Sequence, residues 1–182
     1  MSAREPHTGD TMLWHREPEQ TGLKPKPVLR GWLQETGLLT ARLRRLCASD
    51  FCLEVLDSNA NPDEQPGHDF QRRVILHCGK QACIYAETVI PAATAAMHPW
   101  LSELGDEPLG ERLQTLPEVS RSEFRYALLT ADNLPCDLAD LHQTPLWARQ
   151  SDFHISDASL TVTEVFLPGV VDNEDRRIKL TD

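Results

Sequence analysis

Glu164 is the residue around which chemistry could be built. Alternation along Leu160–Leu167 puts it on one strand face with Leu160, Val162 and Phe166, while Thr161, Thr163, Val165 and Leu167 take the other. An ionised carboxylate alone on an apolar face is costly, so Glu164 either pairs with a cation or meets a ligand. The run Trp147–Ile155 repeats the pattern. Trp147, Arg149, Ser151, Phe153 and Ile155 share a face, with one guanidinium among bulky neighbours. Arg73, in register with Ile75 and His77, is a third charge on a mostly apolar strand. These groups could neutralise one another. They could equally line a closed cavity for a small dianion, because a planar guanidinium grips a carboxylate through two donors. Spacing alone leaves both readings open.

Other chemistries have weaker support. Cys47–Cys52 and Cys78–Cys83 are each five apart, which fits no common zinc or redox spacing and reads as small buried hydrophobes. The histidines, His68, His77, His98 and His154 among them, form neither HxxxH nor HxH, so no metal is expected. GxSxG, P-loop and GxGxxG patterns are absent. Arg42, Arg44 and Arg45 read as a solvated helix face.

The elements that must hold these residues follow from the changing period. Leu29–Leu33 and Thr40–Cys47 read as helices, the second from Leu39, Leu43 and Leu46 at three- and four-residue steps. Phe51–Leu56 alternates as a strand, and Ser58–Asp69 reads as an exposed loop. Arg73–Cys78 and Cys83–Ile90 form a hairpin around Gly79–Ala82, ended by Pro91. Ala92–Leu104 is helical around Pro99, Leu109–Leu116 is a short helix, and Phe124–Leu129 is a strand. Trp147–Ile155 and Leu160–Leu167 make a second hairpin about Ser156–Ser159. Strands joined by short turns imply an antiparallel sheet with helices on it, an α+β fold.

Composition sets the outer limits. The chain has 182 residues, of which 40% are hydrophobic, enough for one domain with its own core. Residues 1–27 read as a polar tail in which Met12, Leu13 and Trp14 could dock, 28–171 as the domain, and 172–182 as a charged peripheral tail. With 18 Lys and Arg against 28 Asp and Glu, the net charge of −10 argues against nucleic acid or an anionic membrane as partner. An anionic substrate must then be held by a few placed arginines. No apolar run reaches the ~20 residues a membrane-spanning helix needs. Five cysteines behind a polar start lead to the expectation of reduced thiols in a cytosolic protein, with a monomer as the default state.

Taken together, the segments resemble the chorismate pyruvate-lyase family. The resemblance rests on Arg73-Val-Ile-Leu, Tyr85-Ala-Glu-Thr-Val-Ile-Pro91, Leu104-Gly-Asp-Glu-Pro-Leu-Gly110, Leu146-Trp-Ala-Arg-Gln-Ser151 and Thr163-Glu-Val-Phe-Leu-Pro168, in that order. Gly31-Trp-Leu33 and Leu38-Leu-Thr-Ala-Arg-Leu43 look like its upstream stretch, so the match runs from Leu29 to Pro168. It implies a single antiparallel sheet with helices and a buried ligand cavity. It also implies conversion of chorismate to 4-hydroxybenzoate and pyruvate, the first step toward ubiquinone, without metal or organic cofactor. By the same resemblance Arg73 and Glu164 are catalytic and bind substrate, the Leu109 amide helps to hold the ligand and Leu39 lines the cavity; Arg149, from its place on the strand, is expected as a further substrate contact. One position departs from the family. Glu87 stands where a second active-site arginine is usual, and its charge works against a dicarboxylate; Arg149 and Arg72 are the cations available to compensate. The alternative is therefore a non-catalytic binder of aromatic carboxylates, akin to the effector domain of GntR-type regulators, or a relative with an altered ligand.

Overall fold

The computed structural model describes residues 13–58, 68–138 and 145–181. Seven strands form one antiparallel sheet: β1 (Phe51–Ser58), β2 (Phe70–Cys78), β3 (Gln81–Ile90), β4 (Val119–Arg121), β5 (Arg125–Leu129), β6 (Leu146–Ile155) and β7 (Ala158–Phe166). Their order across the sheet is β1-β2-β3-β7-β6, and β4 and β5 both pair with β6, at its two ends. The two expected hairpins are the spine of this arrangement. The expected α+β class is therefore the fold. The loop expected after Ser58 lies mostly outside the described residues, as do Met12 and everything before it.

Register decides which side chains share a face. Arg72 lies opposite Thr88, Ala86 opposite Glu164, and Glu164 opposite Arg149. On this face two apolar clusters pack beneath helices. One gathers Trp32, Leu33, Leu39 and Leu43 from α1 (Pro27–Leu33) and α2 (Leu39–Cys47) onto Val74, Leu76, Ile84 and Phe166. The other gathers Ala95 of α3 (Ala92–Met97), Leu101, Leu104 and α4 (Leu109–Gln114) onto Phe70, Ile90, Leu160 and Val162. The opposite face is also covered. Tyr85, Leu129, Leu146 and Val165 pack there with Trp14 and Leu138.

Two expectations about the chain's ends change. The charged segment expected as a peripheral tail is part of helix α5 (Pro168–Thr181), whose first two turns dock on the core while Asp175–Lys179 stay exposed. Val170 and Asn173 are buried, and Glu174 accepts a hydrogen bond from Trp32 Nε1 at 3.0 Å. Gly169 starts the helix where a Cβ would lie 2.3 Å from the Ala82 carbonyl oxygen, so only glycine permits this approach to β3. Near the N-terminus, His15 bridges to Tyr126 and Pro18 is buried, so that stretch is docked on the sheet.

The expectation of reduced thiols is overturned for two cysteines. Cys47, at the end of α2, is disulfide-bonded to Cys78, at the end of β2, with Cα atoms 5.3 Å apart. Packing of α2 over β2 brings together residues 31 apart in sequence, which the five-residue spacings could not reveal. Closing a loop of that length is worth on the order of 3–4 kcal/mol against the unfolded chain. The double variant Cys47→Ser/Cys78→Ser should melt roughly 10 °C lower in a scanning calorimeter without reductant. Equal melting temperatures would show that the bridge does not hold α2 down.

Candidate active site

The seam between the two apolar clusters is a cavity. Its floor is the sheet, through Arg72, Val74, Leu76, Ala86, Thr88, Phe153, Val162 and Glu164; Leu38, Leu39 and Thr40 from the start of α2 and Pro108–Gly110 from the start of α4 close it. Gly110 fits tightly under the cover, since a Cβ there would meet Leu38 Cδ2 at 2.7 Å. An ion pair between Arg44 of α2 and Glu111 of α4 links the two helices outside the cavity.

Arg72 is 4% exposed. Its Nη2 donates to the backbone carbonyls of Gly105 and Glu107 at 3.0 and 3.1 Å, and no carboxylate among the described residues pairs with it. Burial lowers its pKa, partly opposed by the charge of Asp106. A guanidinium held by neutral carbonyls, with Nε and Nη1 uncommitted at a cavity wall, is a ready anion site.

Glu164 is paired twice, and both bonds use Oε2. Arg149 Nε donates at 2.6 Å and Arg121 Nη2 at 3.3 Å, leaving Oε1 outside both pairs. Arg149 has no solvent exposure; its Nη1 donates to the carbonyls of Leu33 and Glu35 at 3.1 and 2.6 Å, while Nη2 is buried without a partner. Arg121 Nε donates to Ser151 Oγ at 2.8 Å. Burial pushes the Arg121 pKa down to about 10, with Glu164 opposing. The Phe124 ring centroid lies 4.3 Å from the Arg121 guanidinium and 4.1 Å from that of Arg149, so one aromatic ring supports both cations. At the other end, the Leu109 N–H starts α4 and has no intrahelical acceptor, as for any first-turn amide.

The expected site residues therefore separate into two groups. Leu39, Leu109 and Glu164 line the cavity, and Arg149 stands behind Glu164 rather than on the wall. Arg73 lies elsewhere. It points to the opposite face of β2, where Nη1 pairs with Asp137 at 2.9 Å, and its neighbour Arg72 holds the cavity position. Glu87 shares that far face, opposite Arg73 across the β2–β3 ladder. Burial raises the Glu87 pKa and Arg73 lowers it; Ala86 and Thr88, on either side, are the residues that reach the cavity. Sequence reasoning missed Arg121 because a three-residue strand carries no readable alternation. Arg72 did carry a signal, since Phe70, Arg72, Val74 and Leu76 alternate as a buried set.

A single antiparallel sheet whose helical cover closes over a small cavity with buried guanidiniums and one carboxylate makes this the candidate small-molecule site. The chain belongs to the chorismate lyase family, whose model matches residues 10–176. A protein of Nitrosospira multiformis described as "probable chorismate pyruvate-lyase" is 33% identical to it, with 87% of this chain and 94% of the relative covered. Relatives of the same description from Hydrogenovibrio crunogenus and Ralstonia nicotianae are 33% and 34% identical, covering 90% of this chain and 91% and 95% of their own.

The Arg149–Glu164 pair gives a stability test. Arg149→Ala removes the shorter partner of Glu164 and frees buried carbonyls at the end of α1, a loss of about 3–5 kcal/mol. Arg73→Ala breaks the half-buried pair with Asp137 and should cost less, about 1–2 kcal/mol, because both partners keep contact with water. Urea unfolding of the two variants should show that order; the reverse would put the structural weight on the other face.

Proposed function

We propose that this protein converts chorismate to 4-hydroxybenzoate and pyruvate, the opening reaction of a quinone ring precursor, with Arg72 rather than Arg73 as the anchor of the ring carboxylate. The observation that carries the reading is a buried guanidinium, Arg72, with no carboxylate partner among the described residues, set across the cavity from a Glu164 oxygen outside that residue's ion pairs. The reaction asks for orientation more than for strong acid or base. The C3–O bond of the enolpyruvyl ether breaks, the C4 hydrogen passes to the enolpyruvyl methylene to give the pyruvate methyl, and a C3–C4 double bond completes the aromatic ring. Atoms and charge balance with no added reactant.

The residues have corresponding tasks. Arg72 neutralises the ring carboxylate, and the Leu109 amide donates to the same anionic group. Glu164 Oε1 accepts the hydrogen bond of the C4 hydroxyl, with Arg149 fixing its position. Closure of Leu38–Thr40 over the ring restricts its conformations and excludes water. Sheet geometry supports the span. Arg72 and Glu164 sit two strands and two residues apart, about 12 Å between Cα atoms, which lets both side chains reach opposite ends of one ring. Glu87, the charge that stands against a dicarboxylate on the sequence reading, lies on the far face and does not oppose this function.

Purified protein mixed with chorismate should release 4-hydroxybenzoate and pyruvate in equal amounts; no product at any enzyme concentration would refute the activity. Arg72→Ala should abolish calorimetric binding of 4-hydroxybenzoate while Arg73→Ala leaves it within about twofold, and the opposite result would return the anchor to Arg73. Glu164→Gln keeps an acceptor for the hydroxyl, so a fall in kcat of roughly tenfold is expected. A loss approaching the ~10²–10⁴-fold typical of a general base would mean that Glu164 takes the C4 proton itself.

A further inference from the structure

We propose that Arg121 holds the second carboxylate of the substrate, the one on the enolpyruvyl arm, and so contributes to binding the substrate but not its single-carboxylate product. The inference rests on the lyase reading and extends it to a residue that neither composition nor strand alternation marks.

Charge balance is the first argument. Three guanidiniums, Arg72, Arg121 and Arg149, meet one carboxylate, Glu164, at or directly behind the cavity wall. Arg149 binds Glu164 at 2.6 Å and has no exposure, so it neutralises that carboxylate permanently. Arg121, at 3.3 Å, shares an oxygen already taken by Arg149, so it has no carboxylate of its own among the described residues. With Arg72, two cations remain for ligands. That matches a dianion.

Position is the second argument. In chorismate the hydroxyl at C4 lies para to the ring carboxylate, and the ether at C3 is next to the hydroxyl. With the ring carboxylate at Arg72 and the hydroxyl at Glu164, the enolpyruvyl carboxylate must fall beside Glu164 and away from Arg72. Arg121 is the cation on the cavity wall at that end. Its Nε is fixed by Ser151 and its Nη2 by Glu164, while Nη1 has no hydrogen-bond acceptor among the described residues. Phe124 at 4.3 Å and Phe153 at 4.7 Å hold the guanidinium plane in place. A donor fixed on two sides and uncommitted on the third is oriented before the substrate arrives. When the C3–O bond breaks, Arg121 releases pyruvate and has no claim on 4-hydroxybenzoate.

The experiment compares two ligands in two variants. Arg121→Met should lower kcat/KM for chorismate on the order of 10²-fold, as expected for truncating one partner of a buried charge contact. Its calorimetric Kd for 4-hydroxybenzoate should stay within about threefold of wild type. Arg121→Lys should recover part of the chorismate loss, because it restores charge without the planar fork. Parallel loss for both ligands would show that Arg121 merely supports Glu164, and no loss for either would remove it from the site; both outcomes overturn the proposal. Turnover by wild type tests the lyase reading separately. Should wild type leave chorismate intact, its calorimetric affinity for wild type against Arg121→Met gives the same comparison, and equal or absent binding overturns the proposal.

Discussion

Across the β6–β7 ladder Arg149 and Glu164 lie directly opposite one another, and the bond between them joins the sheet to its helical cover. Removing both charges from water carries a large penalty that their mutual attraction alone seldom offsets. Here the guanidinium also donates to the carbonyls of Leu33, the last residue of α1, and of Glu35 just beyond it. One side chain thus satisfies a helix terminus and a carboxylate at once. It also sets where α1 stops and where the chain turns toward Leu38–Thr40, the stretch that closes the cavity. Fold and site share this contact, so a change in either reaches the other.

Around that pair the cavity occupies the line where two separate apolar clusters meet. A single continuous core would have filled this space with side chains, as interiors normally pack. Instead α2 and α4 approach from opposite sides, meeting at Leu38 and Gly110, and the floor below carries polar groups that need partners. A chain with a net charge of −10 thereby encloses a region of surplus positive charge. An anion drawn there exchanges a repulsive exterior for fixed guanidinium donors. Low local dielectric makes those donors stronger than they would be in water.

The hairpins, the helix positions and the faces of β6 and β7 were legible in the sequence because their alternation is long and one-sided. β2 was harder. Both faces of this sheet are covered, so Ile75 beside Arg73 and Val74 beside Arg72 look equally interior, and a one-residue choice exchanges one arginine for the other. Family likeness pointed to Arg73, while the burial of Phe70, Arg72, Val74 and Leu76 follows from the sheet's actual layering. α5 was hidden for a different reason. Its charged residues mask the few positions, Val170, Asn173 and Glu174, that dock it. The Cys47–Cys78 bridge and the placement of Arg121 depend on tertiary contacts that local spacing does not encode.

Glu87 shows how the same geometry keeps a sequence departure away from the candidate site. Its neighbours along β3, Ala86 and Thr88, are small and uncharged, and they form the wall between Arg72 and Glu164. A long cation at 87 would act from the far face, where Arg73, Asp137 and Tyr85 already form a network of their own. In that setting an acid is the complementary choice. Glu87 faces Arg73 across the ladder, and cross-strand pairs of opposite charge stabilise a sheet where like charges would not. The adjacent arginines 72 and 73 therefore serve different faces. Arg73 is balanced by acids of its own chain, whereas Arg72, held by two backbone carbonyls, meets no carboxylate among the described residues.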